Sequence, residues 1–176
     1  MQAAANFAHR ALGGGRDNGP SFTSMAMIET VAIERIGDDL VAMAQCLVLD
    51  AEVFPHPSVW FHSRSPSDTV WIASAVPRPR VLGFLASKVR RDVLHVHGLA
   101  VDPASRRRGI GRALLRAAIH DAADRGLAVV ALCVSVTNAS AIALYESEGF
   151  RVTRRLRDFY SSRAFGGERD AFEMRW

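Results

Sequence analysis

Lysine is almost missing from this chain. Lys88 is the single one, so 21 of the 22 basic residues are arginines. Arginine stays charged at any working pH and grips phosphate or carboxylate through a planar fork, where lysine offers a point charge. Such a bias also follows from genomic base composition, so on its own it carries little weight. Cysteine is scarce as well. Cys46 and Cys133 stand in apolar surroundings, and neither belongs to a Cys-x-x-Cys pair. That spacing argues against a disulfide framework or a zinc site, so no metal is expected, and a reducing, cytoplasmic compartment is the expectation. No run of about 18 apolar residues exists, so no membrane span is expected. The first residues include Arg10 but lack an uninterrupted apolar run, which makes a poor signal peptide.

What is present suits a folded domain. The 176 residues correspond to one domain, and an apolar fraction of 49% is enough to bury a core. The net charge is only +4, yet it is unevenly spread. From Arg78 to Arg116 ten basic residues face two acidic ones, Asp92 and Asp102. That stretch is expected to meet something anionic: a phosphorylated cofactor, nucleic acid or an acidic surface.

Residues 1–24, with GGGRDNGPS at 13–21, read as a disordered tail, an over-extended start or appended residues. Met25 or Met27 is then the natural start, and 25–176 forms a single domain. Alternation predicts strands at 27–36, 69–75, 81–89 and 93–101. A helix capped by Asp38 or Asp39 runs to about Phe54, and a second spans 109–125 with Gly126 ending it. The apolar run 127–136 reads as a strand covered on both faces. Asn138 or Ser140 caps a short helix that Gly149 stops, and strands at 150–160 and 170–176 close the chain. This order predicts a mixed sheet with helices on its faces.

The sharpest local feature is Arg106-Arg107-Arg108-Gly109-Ile110-Gly111, between a strand and a helix. The first turn of a helix leaves backbone N–H groups unpaired at a positive dipole end. Glycines there let an anion approach without a Cβ in the way. The loop therefore reads as a pyrophosphate cradle, against the plainer reading of a solvated basic turn. It is neither a P-loop nor a dinucleotide fingerprint, because the Lys-Ser/Thr ending and a third glycine are missing.

These residues carry a resemblance. Leu99-Ala-Val-Asp-Pro-Ala-Ser-Arg-Arg-Arg-Gly-Ile-Gly-Arg-Ala-Leu-Leu115 resembles the acetyl-coenzyme A binding motif of the GNAT N-acetyltransferase superfamily. Asn138-Ala-Ser-Ala-Ile-Ala-Leu-Tyr-Glu-Ser-Glu-Gly-Phe150 resembles its second motif, in the expected order and at about the expected distance. The similarity runs from about Ile28 to Trp176 and is greatest to the RimI-type protein N-terminal acetyltransferases. Glu52-Val-Phe-Pro-His-Pro, Arg154-Arg-Leu-Arg-Asp-Phe-Tyr160 and Glu168-Arg-Asp-Ala-Phe-Glu-Met174 support that placement. The resemblance implies an α/β (α+β) fold: a mixed, mostly antiparallel twisted sheet, flanked by helices, whose two central parallel strands splay apart in a V. Acetyl-coenzyme A would enter the V, with its pyrophosphate on the backbone of Arg106, Arg107, Arg108, Gly109, Ile110 and Gly111, beside Arg112. Its pantetheine arm would pair with the backbone at Leu99, Ala100 and Val101.

Acetyl transfer from a thioester needs a neutral amine, a donor for the oxyanion and a proton for the departing thiolate. The resemblance places Tyr145 beside the sulfur. A phenol with a pKa near 10 holds its proton at neutral pH and can donate it; the alternative is a tyrosine that only packs its helix. RimI-type enzymes often carry a glutamate on the strand before the Asn-x-x-Ala motif, and the matching position here is Cys133. His95 and His97 offer a replacement base. They stand two apart on one strand, hence on one face, and titrate near 6.5. Other branches of the superfamily place a base at the position of His95, and arylalkylamine acetyltransferases carry a similar His-x-His. The plainer reading is two histidines on a half-exposed strand. Glu52 is a third candidate for base or amine anchor, against an exposed helix end. Asn138 would orient the pantetheine or Tyr145 side, or only cap its helix. Phe54, His56 and Tyr160 are candidates for the acceptor pocket.

The leading expectation is acetyl transfer to a protein or peptide N-terminal α-amine. Its rivals are a small-molecule amine acetyltransferase of arylalkylamine or polyamine type and a silent acetyl-coenzyme A sensor. A nucleic-acid module would interleave aromatics or line its bases along one helix face, whereas Arg106 to Arg108 cluster in one loop, so no nucleic-acid partner is expected. A monomer or a homodimer is equally compatible with the sequence.

Overall fold

The computed structural model describes residues 30–54, 68–76, 80–160 and 167–176. The expectations for residues 1–24 and for His56 lie outside these. Within them run β1 (Thr30–Ile36), α1 (Leu40–Val53), β2 (Asp68–Val76), β3 (Val81–Arg90) and β4 (Val93–Val101). A 3-10 turn (Pro103–Ser105), α2 (Ile110–Asp124), β5 (Val129–Ser135), α3 (Ala139–Ser147), β6 (Arg151–Leu156) and β7 (Ala171–Arg175) follow. The seven strands form one sheet in the order β1-β2-β3-β4-β5-β7-β6.

Local chemistry sets the helices. Asp39 caps α1, its carboxylate accepting from the N–H groups of Val41 and Ala42 at 2.9 and 3.0 Å. Gly126 and Gly149 take positive φ, +68° and +97°, and stop the helices before them. In α2 the buried positions are Ile110, Leu114, Leu115, Ala118 and Ala122, a helical stripe. The stripe covers one face of the central sheet, against Leu82, Leu85, Leu94, Val96, Val130 and Leu132. Full burial of each leucine contributes about 2 kcal/mol. Helix α1 covers the other face, with Cys46 and Leu49 against Val70, Ile72 and Phe84. Small residues let the layers close: a Cβ on Gly83 would stand 2.8 Å from the Ala100 carbonyl oxygen.

Among the described residues only one strand pair is parallel. β4 and β5 pair from Val93↔Val129 to Val96↔Leu132 and then part, while β4 runs on to Val101 and β5 to Ser135. Each keeps its other neighbour, β3 for β4 and β7 for β5, so the sheet opens between its two halves. The expected splay of the central strands is therefore present.

Two details depart from strict alternation. The β3–β4 register shifts between Ser87↔Val96 and Ala86↔Gly98, so a bulge leaves His97 without a partner on β3. The rule that put His95 and His97 on one face does not carry across this bulge unchanged: His95 is half-buried and His97 exposed. The strand expected at 150–160 ends at Leu156. Asp158 takes φ +51° and donates its N–H to the Asp170 carboxylate at 2.9 Å, and the Tyr160 N–H reaches the Arg169 carbonyl at 3.0 Å. Arg155 reaches both Asp170 (2.6 Å) and Glu168 (3.3 Å), and Arg169 pairs with Asp158. A clasp of charged side chains replaces the ladder there.

Candidate active site

The loop after β4 is built by Asp102. Its carboxylate accepts from the Ala104 N–H (3.1 Å), the Ser105 hydroxyl (2.9 Å) and the Arg80 guanidinium (3.1 Å). Desolvation opposes ionisation, but these donors win and hold the carboxyl below its ordinary value. Asp102 thereby fixes the 3-10 turn that delivers Arg106 to Gly111. Arg106 reaches back to the Val101 carbonyl at 3.4 Å. Arg107 sits at φ +65°, a strained conformation for a side chain with a Cβ, and Gly109 at φ +80°.

Gly109 occupies the N-cap of α2 and supplies no side-chain acceptor, so no side chain caps this helix. A Cβ there would meet nothing within 4 Å. An open, uncapped helix start ringed by Arg106, Arg107 and Arg108 suits an anion. Arg112 is engaged elsewhere, at 3.0 Å from Glu148 and 3.2 Å from the Ser147 hydroxyl. Together with the Arg116–Glu148 pair at 2.7 Å it ties α2 to α3. Leu99 and Val101 pack into the α2-side core, Ala100 lies buried on the α1 side, and Ile110 is buried at the start of α2.

Tyr145 is the buried residue of α3, 8% exposed, with its ring centroid 5.9 Å from that of Phe150. Burial, with a smaller push from Tyr160, drives its phenol well above the ordinary value, so it stays protonated at any working pH. Asn138 caps α3, its side-chain oxygen accepting from the Ala141 N–H (3.2 Å) and the Ser140 hydroxyl (3.1 Å). His95 is lowered by burial first, then by Arg90 and Arg175, while Glu173 pulls the other way. His97 is lowered by burial and by His95. Both imidazoles are thus neutral at pH 7 and able to accept a proton.

Cys133 stands exposed on β5, and partial desolvation followed by Glu173 pushes its thiol up, which disfavours the thiolate. Burial and then Cys133 raise Tyr160, which also packs edge-on against Phe159 with centroids 5.0 Å apart. Electrostatic neighbours therefore run unbroken from Tyr145 through Tyr160, Cys133 and Glu173 to His95 and His97. Glu52 lies exposed near the end of α1, and Phe54 packs into the α1-side core just beyond it. Neither enters this chain of neighbours.

Glu173 is the polar group that sequence reasoning passed over. It is 9% exposed and stands opposite Cys133 in the β5–β7 ladder. Arg154 meets one carboxylate oxygen at 2.8 Å and Arg175 the other at 2.9 Å. The Arg175 contact is the main cause that holds the carboxyl below its ordinary value. Alternation in DAFEMRW shows which strand face it takes, but not which strand lies alongside.

Comparison with known proteins accords with this geometry. The profile of the acetyltransferase (GNAT) family matches residues 33–150. The [ribosomal protein bS18]-alanine N-acetyltransferase of Escherichia coli K12 is 39% identical over 95 residues, 54% of this chain and 63% of that one. A mycothiol acetyltransferase of Thermomonospora curvata is 42% identical over 72 residues, 40% of this chain and 24% of that one. The chain thus spans less than two thirds of the curated relatives it matches. The crystal structure of the ribosomal-protein-S18-alanine N-acetyltransferase from Escherichia coli superposes with a TM-score of 0.73 at 26% identity, over 83% of this chain and 92% of that one. Arabidopsis thaliana NAA60, solved in complex with acetyl-CoA, shares the fold with a TM-score of 0.72 at 23% identity, over 84% of this chain and 98% of that one. With its opened sheet, its uncapped glycine loop and a profile match over most of its length, this chain belongs to the acetyltransferase (GNAT) family.

Proposed function

We propose that the protein transfers the acetyl group of acetyl-coenzyme A to a primary amine, the N-terminal α-amine of a protein or peptide. The observation that carries this reading is the parting of β4 and β5 beside the uncapped start of α2. Backbone N–H groups from Arg106 to Gly111 would hold the pyrophosphate, helped by the arginines that ring them. The free edge of β4 from His97 to Val101 would pair with the amide-bearing arm. The bulge at His97 turns a backbone group out of the β3 ladder, next to where an oxyanion would form.

An amine attacks only when neutral. His95 would take the ammonium proton, directly or through water, with His97 beside it. The amine nitrogen then bonds to the acetyl carbon while the bond to sulfur breaks, and Tyr145 gives its proton to the departing thiolate. Tyr160, on the clasped segment after β6, would line the acceptor's path. A cytoplasmic setting, with acetyl-coenzyme A and a free amine as the only partners, suits this chemistry. The relatives named for bS18 alanine favour a peptide terminus.

A second reading, a small free amine as acceptor, has its own support. The face of β5 toward the proposed acceptor presents the small side chains of Ala131, Cys133 and Ser135. The mycothiol acetyltransferases among the relatives act, by name, on a small molecule. Thiol release measured over a panel of N-terminal peptides and simple amines decides between the two. Turnover confined to peptides supports the first, and turnover with amines alone the second. Coenzyme A binding without turnover on any acceptor would leave a sensor.

A further inference from the structure

Leu94, Val96, Val130, Leu132, Val134 and Met174 all point into the α2-side core. Alternation therefore sends His95, Ala131, Cys133, Glu173 and Arg175 to the opposite face. The register aligns His95, Ala131 and Arg175 in one row across β4, β5 and β7. The next row is Cys133, Glu173 and Arg154. The residues of β5 between the histidine and the carboxylate are thus an alanine and a cysteine, with Tyr160 a neighbour of the latter. Glu173 lies two strands and one row from His95, about 12 Å away at the usual strand spacing and rise.

The surroundings of this floor are strongly cationic. His95 faces Lys88 on β3, itself paired with the buried Asp68 carboxylate at 3.2 Å, while Arg90, Arg175 and His97 add positive or titratable neighbours. Glu173 faces Arg154, Arg175, Cys133 and His95. Without its carboxylate, two guanidiniums would stand uncompensated beside the acceptor's route. A protonated amine would be repelled, and an imidazole next to them would lose basicity.

We propose that Glu173 is a positioning residue for amine acetylation: from β7 it neutralises Arg154 and Arg175 and so opens the route to His95 for a cationic amine. This rests on the amine-acetylation reading above. The carboxylate does not itself take the proton, since both its oxygens are engaged by guanidiniums; it acts through His95 and through the charge the incoming amine meets.

The test uses the coenzyme A-loaded protein and its Glu173→Gln, Glu173→Asp and Arg154→Gln variants. The His95 imidazole is titrated by NMR, and kcat/KM for an N-terminal peptide is followed against pH. Glu173→Gln is expected to move both the titration and the acid limb down by about 0.25 pH unit, from one unit charge at that separation in a watery environment. It should raise KM for the amine severalfold and leave coenzyme A affinity unchanged. Glu173→Asp keeps the charge and should restore the limb. Arg154→Gln, at an exposed side chain, should move the limb upward and reports even if Glu173→Gln fails to fold. A His95 titration and limb unmoved by Glu173→Gln, or by Arg154→Gln where the former does not fold, would overturn the proposal. A wild type that acetylates no amine removes the acetylation reading instead, while the NMR titration still decides whether Glu173 acts on His95.

Discussion

Tyr145 shows what one buried side chain contributes. Its phenol is held protonated by burial, so at every working pH it carries the proton that the proposed acid role requires. Tyr145→Phe is expected to lower kcat by about 100-fold or more, the usual worth of a positioned acid. Coenzyme A affinity, read by calorimetry, should hardly change, because the loop proposed to hold it is untouched. His95 makes a second prediction with a definite sign. Its proton affinity lies below the ordinary histidine value of 6.5, so it loses its proton at lower pH and stays a competent base there. The acid limb of kcat/KM should therefore fall below pH 6.5, and His95→Ala should abolish that limb and lower the plateau. The place of the glycine loop at the start of α2 and of Tyr145 on α3 was legible in the sequence, because local spacing fixes both. Glu173 was not, because its meaning comes from the strand beside it. Arg112 reads as a loop arginine in sequence, whereas its partner Glu148 lies on another helix.

Helix starts and stops follow from nearest neighbours, and Asp39, Gly126, Asn138 and Gly149 act where the chain suggests. Gly109 does so with a difference, since it opens a helix in the left-handed region. Gly109→Ala is expected to cost about 1 kcal/mol of stability in denaturant titrations, from backbone strain alone. Coenzyme A affinity should fall with it, as the loop relaxes away from its open shape. Gly37→Ala, where a Cβ meets nothing and no positive φ is required, is the control and should be near neutral. Elements whose limits depend on distant groups were harder to read. β6 stops at Leu156 because Asp170 claims the Asp158 N–H, and the bulge at His97 exists only against β3. The insertion of β7 between β5 and β6 is likewise a matter of topology that alternation cannot express.

The whole molecule should respond to acid in two stages. His95 and His97 bind protons less readily folded than unfolded, so below the unfolded value of 6.5 the unfolded chain takes up more protons and stability falls. Glu173, Asp102 and Asp170 are depressed when folded, Glu173 chiefly by Arg175 and Asp170 chiefly by the Asp158 N–H. Their contribution is complete above their unfolded values of 4.5 and 3.8 and is lost as pH falls through the folded ones. Thermal melts should give a Tm that is level near neutrality, slopes gently below pH 6.5 and drops steeply below about pH 4.5. A Tm unchanged down to pH 4 would contradict the burial assigned to the histidines.

Among the described residues the sheet terminates in β1 and β6, each bonded on one side only. Arg151, Arg154 and Arg155 stud the outer strand β6, and Glu34 and Arg35 stand exposed on β1. Fixed charge along such rims penalises stacking of one molecule's backbone onto another's. Concentrated solutions should resist fibril growth from either rim for that reason, and replacing the three β6 arginines with threonine would be the way to remove the safeguard.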